Sequence, residues 1–250
     1  MQISFSAPAF PASGAWVVAA CSESALLPAA VKADRISGGA LTRALKFSRF
    51  KGKPGQILEI LAPSGTPASR ILLLGLGKAP DLDAARLEGA VAGVMGRLAT
   101  SGDAIVTFEI DVPKGAKMKS ASVAAHVAFA ARLKNYRFNQ YRTKNLEEHQ
   151  TGIKTAKILV SDAAAARKAW APLSAVADGI LLARDLVNEP PNVLFPAEFA
   201  RRCKALSRLG VKVEVLGEAA MKKLGFGALL GVGQGSARES QLVVMQWNGA

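Results

Sequence analysis

The chain has 250 residues, half of them hydrophobic, and its 32 basic and 19 acidic residues give a formal net charge of +13 at pH 7. This length allows one or two domains, each able to bury a core. No apolar stretch reaches the roughly 18 residues that a transmembrane helix needs, which argues against a helical membrane protein.

The N-terminal stretch lacks the features of a signal peptide. No lysine or arginine precedes Lys32, and several prolines interrupt the apolar residues. A signal peptide needs a basic start followed by a continuous apolar core.

Cys21 and Cys203 are far apart in sequence and have apolar neighbours, which predicts buried free thiols and not a disulfide framework. We therefore expect a cytoplasmic protein.

Residues 1–161 predict a mixed α/β domain. Short apolar segments bounded by glycine, proline or charge indicate strands at 3–5, 16–20, 56–61, 71–74, 104–110 and 157–160. Apolar periodicity indicates one helix that ends near Leu98, with Asp81 or Asp83 as its N-cap, and another over 121–133. Strands that alternate with helices imply a sheet with parallel members and helical covers.

A connecting helix is predicted over 162–187. It begins in an alanine-rich stretch, which we place at the domain boundary, and its apolar residues recur at helical spacing from Leu173 to Val187. Trp170 is expected to be buried near its start. Pro190 and Pro191 have no backbone N–H, and Pro190 disfavours the α conformation at Glu189, so the helix must end in a defined elbow.

Residues 188–250 predict the first units of a second α/β domain. The pattern gives a helix from Pro196 to about Gly210, a half-buried strand over 211–215, a helix over 218–224, a glycine-rich passage and a strand over 241–247. The last strand is apolar on both faces, as in a strand covered on both sides. It needs neighbours, so we expect the second sheet to be incomplete.

Three segments of this domain resemble the leucyl (cytosol) aminopeptidase family. They are Leu-Val-Asn-Glu-Pro-Pro-Asn at 186–192, Lys-Leu-Gly-Phe-Gly-Ala-Leu-Leu-Gly-Val-Gly-Gln-Gly-Ser at 223–236, and Val-Met-Gln-Trp-Asn-Gly at 244–249. The strand and glycine turn at 71–77 and the aromatic segment at 136–141 are similar, more loosely, to the family's N-terminal domain.

The resemblance implies a dinuclear metallopeptidase that releases N-terminal amino acids from peptides. It also implies a macro-like N-terminal domain, two Zn²⁺ or Mn²⁺ ions that bridge a water, and a homohexamer when full length. The family's Lys-Gly-x-Thr-Phe-Asp-Ser-Gly-Gly and Asn-Thr-Asp-Ala-Glu-Gly-Arg motifs do not occur here. We therefore assign no catalytic, cofactor-binding or metal-binding residue. We expect a truncated catalytic domain over 188–250 that is inactive alone.

Two alternative functions stay open. Arg132, Lys134, Arg137, Arg142 and Lys144 crowd around three aromatic residues, a pattern that can grip nucleic acid but is also typical of a solvated helix end. Some bacterial members of the family bind DNA, so a basic DNA-binding or regulatory module is one alternative. A stand-alone macro-like nucleotide-binding domain is the other.

The remaining motifs favour structural roles. Gly75-Leu-Gly-Lys78 lies between a strand and a helix, where a turn can bind an anion, but a simple turn is favoured. Residues 231–235 lack the dinucleotide-binding spacing and predict a tight turn. His126 and His149 show no ligand spacing. Glu189, Asn188 and Asn192 are expected to hydrogen-bond the elbow and cap the next helix.

Overall fold

The computed structural model describes residues 1–144 and 152–249. His149 lies outside these described residues. The chain divides into two compact units, Met1–Leu182 and Ala183–Ala250. No helix in the described ranges is long and apolar enough to span a membrane.

The first unit is built around one sheet. Its strands are β1 (Gln2–Ser6), β2 (Ala15–Ala20), β3 (Ile57–Leu61), β4 (Arg70–Gly75), β5 (Ile105–Glu109) and β6 (Thr155–Leu159). Its helices are α1 (Pro28–Ile36), α2 (Ala40–Phe47), α3 (Ala84–Leu98) and α4 (Ser120–Lys134), with short 3₁₀ turns at Ser22–Ser24 and Ala79–Asp81. Helix α5 (Ala163–Asn188) begins in this unit and ends in the second.

The six strands follow the order β1-β6-β5-β2-β4-β3, and every pair is parallel except the antiparallel pair of β3 and β4. This confirms the predicted mixed α/β fold. All six predicted strands are present. Helix α3 begins at the predicted cap, because the Asp83 side chain accepts a hydrogen bond from the N–H of Arg86.

Helices cover both faces of this sheet. Alternate residues of β2 lie on opposite faces of the sheet. Val17 belongs to the core that contains residues of α3 and α4, and Trp16 belongs to the core that contains residues of α1 and α2. Both side chains are fully buried. The continuous apolar run of β2 therefore reflects burial on two faces. Trp170 of α5 packs partly buried against the first core, with its ring 6.5 Å from that of Phe5.

Two helices of the first unit have no counterpart in the sequence-based expectations. Helices α1 and α2 were not predicted, although α2 has a pronounced apolar face; α1 buries only alanines and α2 buries only Leu41. Helix α5 begins in the alanine-rich stretch after residue 162 and contains Pro172. Alanine has the highest helix propensity, which favours continuing the helix despite the hydrogen bond that proline removes.

The second unit contains α6 (Pro196–Lys204), a 3₁₀ turn at Ala205–Leu209, β7 (Lys212–Leu216), α7 (Glu218–Lys223), α8 (Gly227–Gly233) and β8 (Leu242–Gln246). Strands β7 and β8 pair antiparallel, and among the described residues they pair only with each other. Val244 and Met245 of β8 are each about half exposed, so the described residues leave this apolar strand partly uncovered. The tight turn expected at 231–235 is wrong, because helix α8 extends to Gly233.

A buried carboxyl group lies on the α1 side of the first sheet. Glu109, at the end of β5, accepts a hydrogen bond of 3.2 Å from the Trp16 indole and lies 3.4 Å from the Lys32 ammonium. Burial raises the pKa of the Glu109 carboxyl, and the Lys32 charge and the Trp16 hydrogen bond offset only part of that rise.

The raised pKa predicts a pH dependence of stability. The folded state binds this proton more tightly than the unfolded state, so stability falls as pH rises through the folded pKa. Glu109→Gln keeps an acceptor for Trp16 and removes the buried charge. We expect this variant to melt a few degrees above the native protein at neutral pH. The difference in melting temperature should shrink as the pH falls towards 4.5, the ordinary pKa of a glutamate side chain. Thermal melts at several pH values check this, and the exposed Glu23→Gln is the control. A difference that does not change with pH would contradict the assignment.

Candidate functional site

The family-like segment at the end of α5 forms the predicted elbow. The N–H of Glu189 donates to the carbonyl of Asp185 over 3.1 Å, and the Asn188 amide donates to the carbonyl of Arg184 over 2.8 Å. These bonds satisfy carbonyls at the C-terminal end of the helix. The polar residues therefore stabilise the end of α5, as expected for Asn188.

A compact turn follows the two prolines. The carbonyl of Pro190 accepts hydrogen bonds from both Val193 and Leu194, each 2.9 Å long. Helix α6 then starts with Pro196 in its first turn, and its N-cap, Phe195, forms no side-chain cap hydrogen bond. The prediction that a polar side chain of the elbow caps this helix is wrong. A proline at this position supplies helical φ and leaves one fewer N–H to satisfy.

An ion-pair cluster connects the elbow to α6. The Arg202 guanidinium lies 2.8 Å from Glu189 and 2.9 Å from Glu198, and Arg201 lies 2.7 Å from Glu198. The Glu189 side chain is only 2% exposed. A buried carboxylate requires such a partner, because an unpaired buried charge is strongly unfavourable. Glu189 therefore acts as a buried structural anchor, in agreement with its predicted role.

The charges of this cluster argue against acid–base chemistry there. Hydrogen bonds from Arg201 and then Arg202 lower the pKa of the Glu198 carboxyl to about 2. The Glu198 carboxylate in turn raises the pKa of Arg202. A general base works best with a pKa near the operating pH, and a carboxylate with so low a pKa is a weak base.

The described residues do not fit a metal centre. No group of three or more His, Cys, Asp or Glu side chains in ranges 1–144 and 152–249 could hold an ion. His126 on α4 instead lies 2.6 Å from a carboxylate oxygen of Glu88 on α3, which is a helix–helix contact. Cys203 is buried as predicted, whereas Cys21 is partly exposed, and both thiols are free. A dinuclear site needs several carboxylate or histidine ligands, so none is assigned here.

The glycine turn after β4 is structural. The N–H groups of Gly75, Leu76 and Gly77 donate to the carbonyls of Gln56, Ala20 and Gly52, respectively, over 2.8–2.9 Å. These donors are therefore engaged and do not form an anion cradle. A Cβ on Gly75 would lie 2.3 Å from a backbone oxygen, so close chain packing requires glycine at that position.

A groove in the second unit is lined by parts of α7 and α8. Its volume is about 490 Å³, and Glu218, Lys222, Leu230 and Ser236 contribute to its walls. Glu218 accepts a hydrogen bond of 2.8 Å from the N–H of Ser240. The second unit contains no histidine, so it cannot itself supply a histidine base for Ser236.

The basic aromatic segment at the end of α4 and just beyond it is partly engaged in the first unit. Arg132 pairs with Asp178 and donates to the Ser174 hydroxyl over 2.9 Å, which anchors α4 to α5. Arg137 donates to the carbonyl of Tyr136 over 2.8 Å. Only part of this predicted cluster is therefore available to a ligand.

A second basic segment of the first unit has no counterpart among the sequence-based predictions. Lys46, Arg49, Lys51 and Lys53 are all exposed, and Phe47 beside them is 91% exposed. The alternation of basic residues with Phe50 and Gly52 is the signal that could have found it.

Two family models match the chain in order. The N-terminal domain of the cytosol aminopeptidase family matches residues 17–145, and the catalytic domain of that family matches residues 181–250. This chain belongs to the cytosol aminopeptidase family.

Curated members of the cytosol aminopeptidase family support this membership. A probable cytosol aminopeptidase of Caulobacter vibrioides is 46% identical over 239 residues, which cover 96% of this chain and 47% of that protein. One from a Bradyrhizobium species is 47% identical over 93% of this chain and 46% of that protein. The chain spans about half the length of the curated relatives it matches.

Solved structures share the fold. A mutant tomato leucine aminopeptidase matches with a TM-score of 0.81 at 21% identity, over 98% of this chain and 50% of that protein. The bottromycin maturation enzyme BotP in complex with Mn matches with a TM-score of 0.71 at 26% identity, over 94% of this chain and 45% of that protein.

The buried ion pair of the elbow predicts a stability effect. Glu189→Gln removes the charge that faces Arg202, and hydrogen bonds to charged groups contribute about 1–3 kcal/mol, so we expect a loss of that size. Urea unfolding followed by tryptophan fluorescence measures it. The exposed Glu239→Gln serves as the matched control and should change stability by less than about 0.5 kcal/mol. Equal effects of the two substitutions would contradict the anchoring role.

Proposed function

We propose that this chain supplies an N-terminal α/β domain over 1–161, a connecting helix over 162–187 and the first part of a catalytic domain, 188–250, of a leucyl aminopeptidase that releases N-terminal amino acids from peptides. The observation that carries this proposal is the match of both family domains in order, together with 46% identity to a probable cytosol aminopeptidase over nearly the whole chain. The macro-like shape of the first domain is part of the same proposal.

The enzyme of which this chain is a part would require two divalent ions, Mn²⁺ or Zn²⁺. Membership of the family and the Mn-bound state of BotP support this requirement. The described residues contain no ligand set for these ions. We therefore assign them no metal-binding or catalytic role and expect the 250-residue chain alone to lack peptidase activity.

Assembly and location are further parts of the proposal. We propose a homohexamer in the cytoplasm, where the enzyme would act on peptides. The name cytosol aminopeptidase, shared by the curated relatives, supports the location. Family membership supports the assembly.

The two alternative functions have less support. A DNA-binding module acting through residues 132–144 would need free guanidinium groups, but Arg132 is held by Asp178 and Ser174. A nucleotide-binding macro-like domain acting at the turn after β4 would need free N–H donors, but those of Gly75 and Gly77 are engaged.

A chimera tests the proposed function. Residues 1–250 would be joined to the part of the probable cytosol aminopeptidase of Caulobacter vibrioides that follows its match to this chain, a match of 46% identity over 47% of that protein. We expect the chimera to hydrolyse leucine anilide with added Mn²⁺ or Zn²⁺ and to lose activity in a chelator. We expect the 250-residue chain alone to show no turnover above background.

The unaltered Caulobacter vibrioides enzyme is the positive control for this experiment. Turnover by the 250-residue chain alone would show that the expected inactivity is wrong. A chimera that folds, as judged by its melting transition, yet releases no amino acid would count against the peptidase function.

A further inference from the structure

Strand β3 forms one edge of the first sheet. It is last in the sheet order, and among the described residues it pairs only with β4. All five of its residues are at least partly exposed, and Leu61 is 63% exposed. The strand reads Ile-Leu-Glu-Ile-Leu and contains no proline or lysine, which are residues that discourage the addition of another strand. The edge is therefore open to a partner in an extended conformation.

The ladder between β3 and β4 shows which backbone groups of β3 face outward. The N–H of Gly75 in β4 donates to the carbonyl of Gln56, one residue before β3, over 2.8 Å. Hydrogen-bonded pairs recur at every second position of an antiparallel ladder, so Leu58 and Ile60 direct their N–H and C=O groups towards β4. The N–H and C=O groups of the alternate residues therefore point away from β4. These residues are Ile57, Glu59 and Leu61.

Glu59 is the only charged residue of β3, and its side chain is held on one face of the sheet. Its carboxylate lies 2.6 Å from the Arg70 guanidinium of β4 and 2.9 Å from that of Arg97 in α3. Only 12% of the Glu59 side chain is exposed. A carboxylate fixed in this way leaves the backbone of the edge accessible, whereas a charge that projects along the edge would repel an apolar strand.

The two faces beside the edge differ in chemistry. Leu58 and Ile60 pack, only partly buried, against the core that contains α2 residues. On the opposite face, the Arg97 side chain is 61% exposed, and its five N–H donors can serve a second carboxylate besides that of Glu59. Alternate residues of an added strand would lie on these two faces. The edge therefore favours a strand in which apolar and acidic residues alternate.

The elements that lead into β3 add positive charge. Helix α2, which packs against β3, and the segment that joins them contain no acidic residue. Their basic residues form no ion pair within the described ranges, and they are Arg43, Lys46, Arg49, Lys51 and Lys53. This charge attracts an acidic segment. A second copy of the chain fits less well, because it carries the same net charge of +13 and would bring the same Glu59 to the edge.

We propose that the β3 edge binds an extended acidic segment of a partner protein, which adds an antiparallel strand to the sheet. The backbone of Ile57, Glu59 and Leu61 would form the hydrogen bonds, and the two faces would select the side chains. In antiparallel pairing, a residue that hydrogen-bonds to these three lies on the same face as they do, which is the Arg97 face. Acidic residues would therefore supply the N–H groups that meet β3. This proposal does not depend on the peptidase function.

The first test uses synthetic peptides and leaves the protein unchanged. A fluorescein-labelled peptide of alternating valine and glutamate, about eight residues long, is titrated with the 250-residue chain and followed by fluorescence anisotropy. N-methylation of the glutamate nitrogens keeps every side chain and charge but removes the donors that face β3. We expect it to weaken binding about a hundredfold. N-methylation of the valine nitrogens, which would face solvent, is the matched control and should retain most of the affinity.

A pair of substitutions at Leu61 tests the same contact from the side of the protein. Leu61→Pro removes the outward N–H, and proline is tolerated at an edge position whose N–H faces solvent. We expect about tenfold weaker binding of the valine–glutamate peptide. Leu61→Ala keeps the N–H and removes the exposed side chain, so it should bind within about threefold of the native chain. Melting curves confirm that both variants are folded.

A matched pair of double variants tests the charge preference. Replacing Lys51 and Lys53 by Gln should weaken binding of the acidic peptide about threefold or more. Replacing Lys114 and Lys117, which are also exposed, removes the same charge elsewhere on the first unit and should have a smaller effect. A peptide of alternating valine and lysine should bind at least about tenfold more weakly than the acidic one.

Three results would overturn the proposal. They are equal binding of the two methylated peptides, equal binding of the acidic and the basic peptide, and a dimer of the chain in sedimentation experiments that Leu61→Pro converts to monomer. The last result would show that a second copy occupies the edge.

Discussion

Burial of β2 on both faces is the constraint on which the first unit depends. Every residue of this strand is buried, so each face must be covered by a separate layer of helices. Helices α3 and α4 contribute to one core and α1 and α2 to the other. The strand also lies between β5 and β4 in the sheet. A polar substitution on either face would have to be buried among apolar groups, which is why the run tolerates only apolar residues.

The family signature in the elbow serves structure in the described residues. Pro190 and Pro191 determine where α5 stops, and Glu189 pairs with Arg202 of α6. The polar residues in such a segment are candidates for a functional site, because carboxylates and amides often bind metals or substrates. Here the short distances to arginine and the low pKa of Glu198 explain them as an internal ion-pair cluster.

The two basic segments of the first unit differ in how many of their cationic side chains already have partners within the fold. In the segment at the end of α4 and just beyond it, Arg132 is bound to α5 and Arg137 to nearby backbone carbonyls. In the segment after α2, Lys46, Arg49, Lys51 and Lys53 have no ion-pair partner among the described residues, and the backbone is held by Gln56. Charge composition alone does not distinguish them, since both are rich in lysine, arginine and aromatic residues. The distinction comes from the acidic and carbonyl groups that folding brings beside each cation.

Local chemistry was enough to predict the apolar run of β2, an acidic cap for α3 at Asp81 or Asp83, and the proline stop at the end of α5, since each follows from neighbouring residues. The sequence also carried enough of the family pattern at 186–192 to indicate the aminopeptidase relationship. Only the tertiary structure decided the strand order, the partner of Glu189 and the exposure of Phe47. Those features depend on residues distant in sequence, and no local pattern of hydrophobicity or charge specifies which distant groups meet.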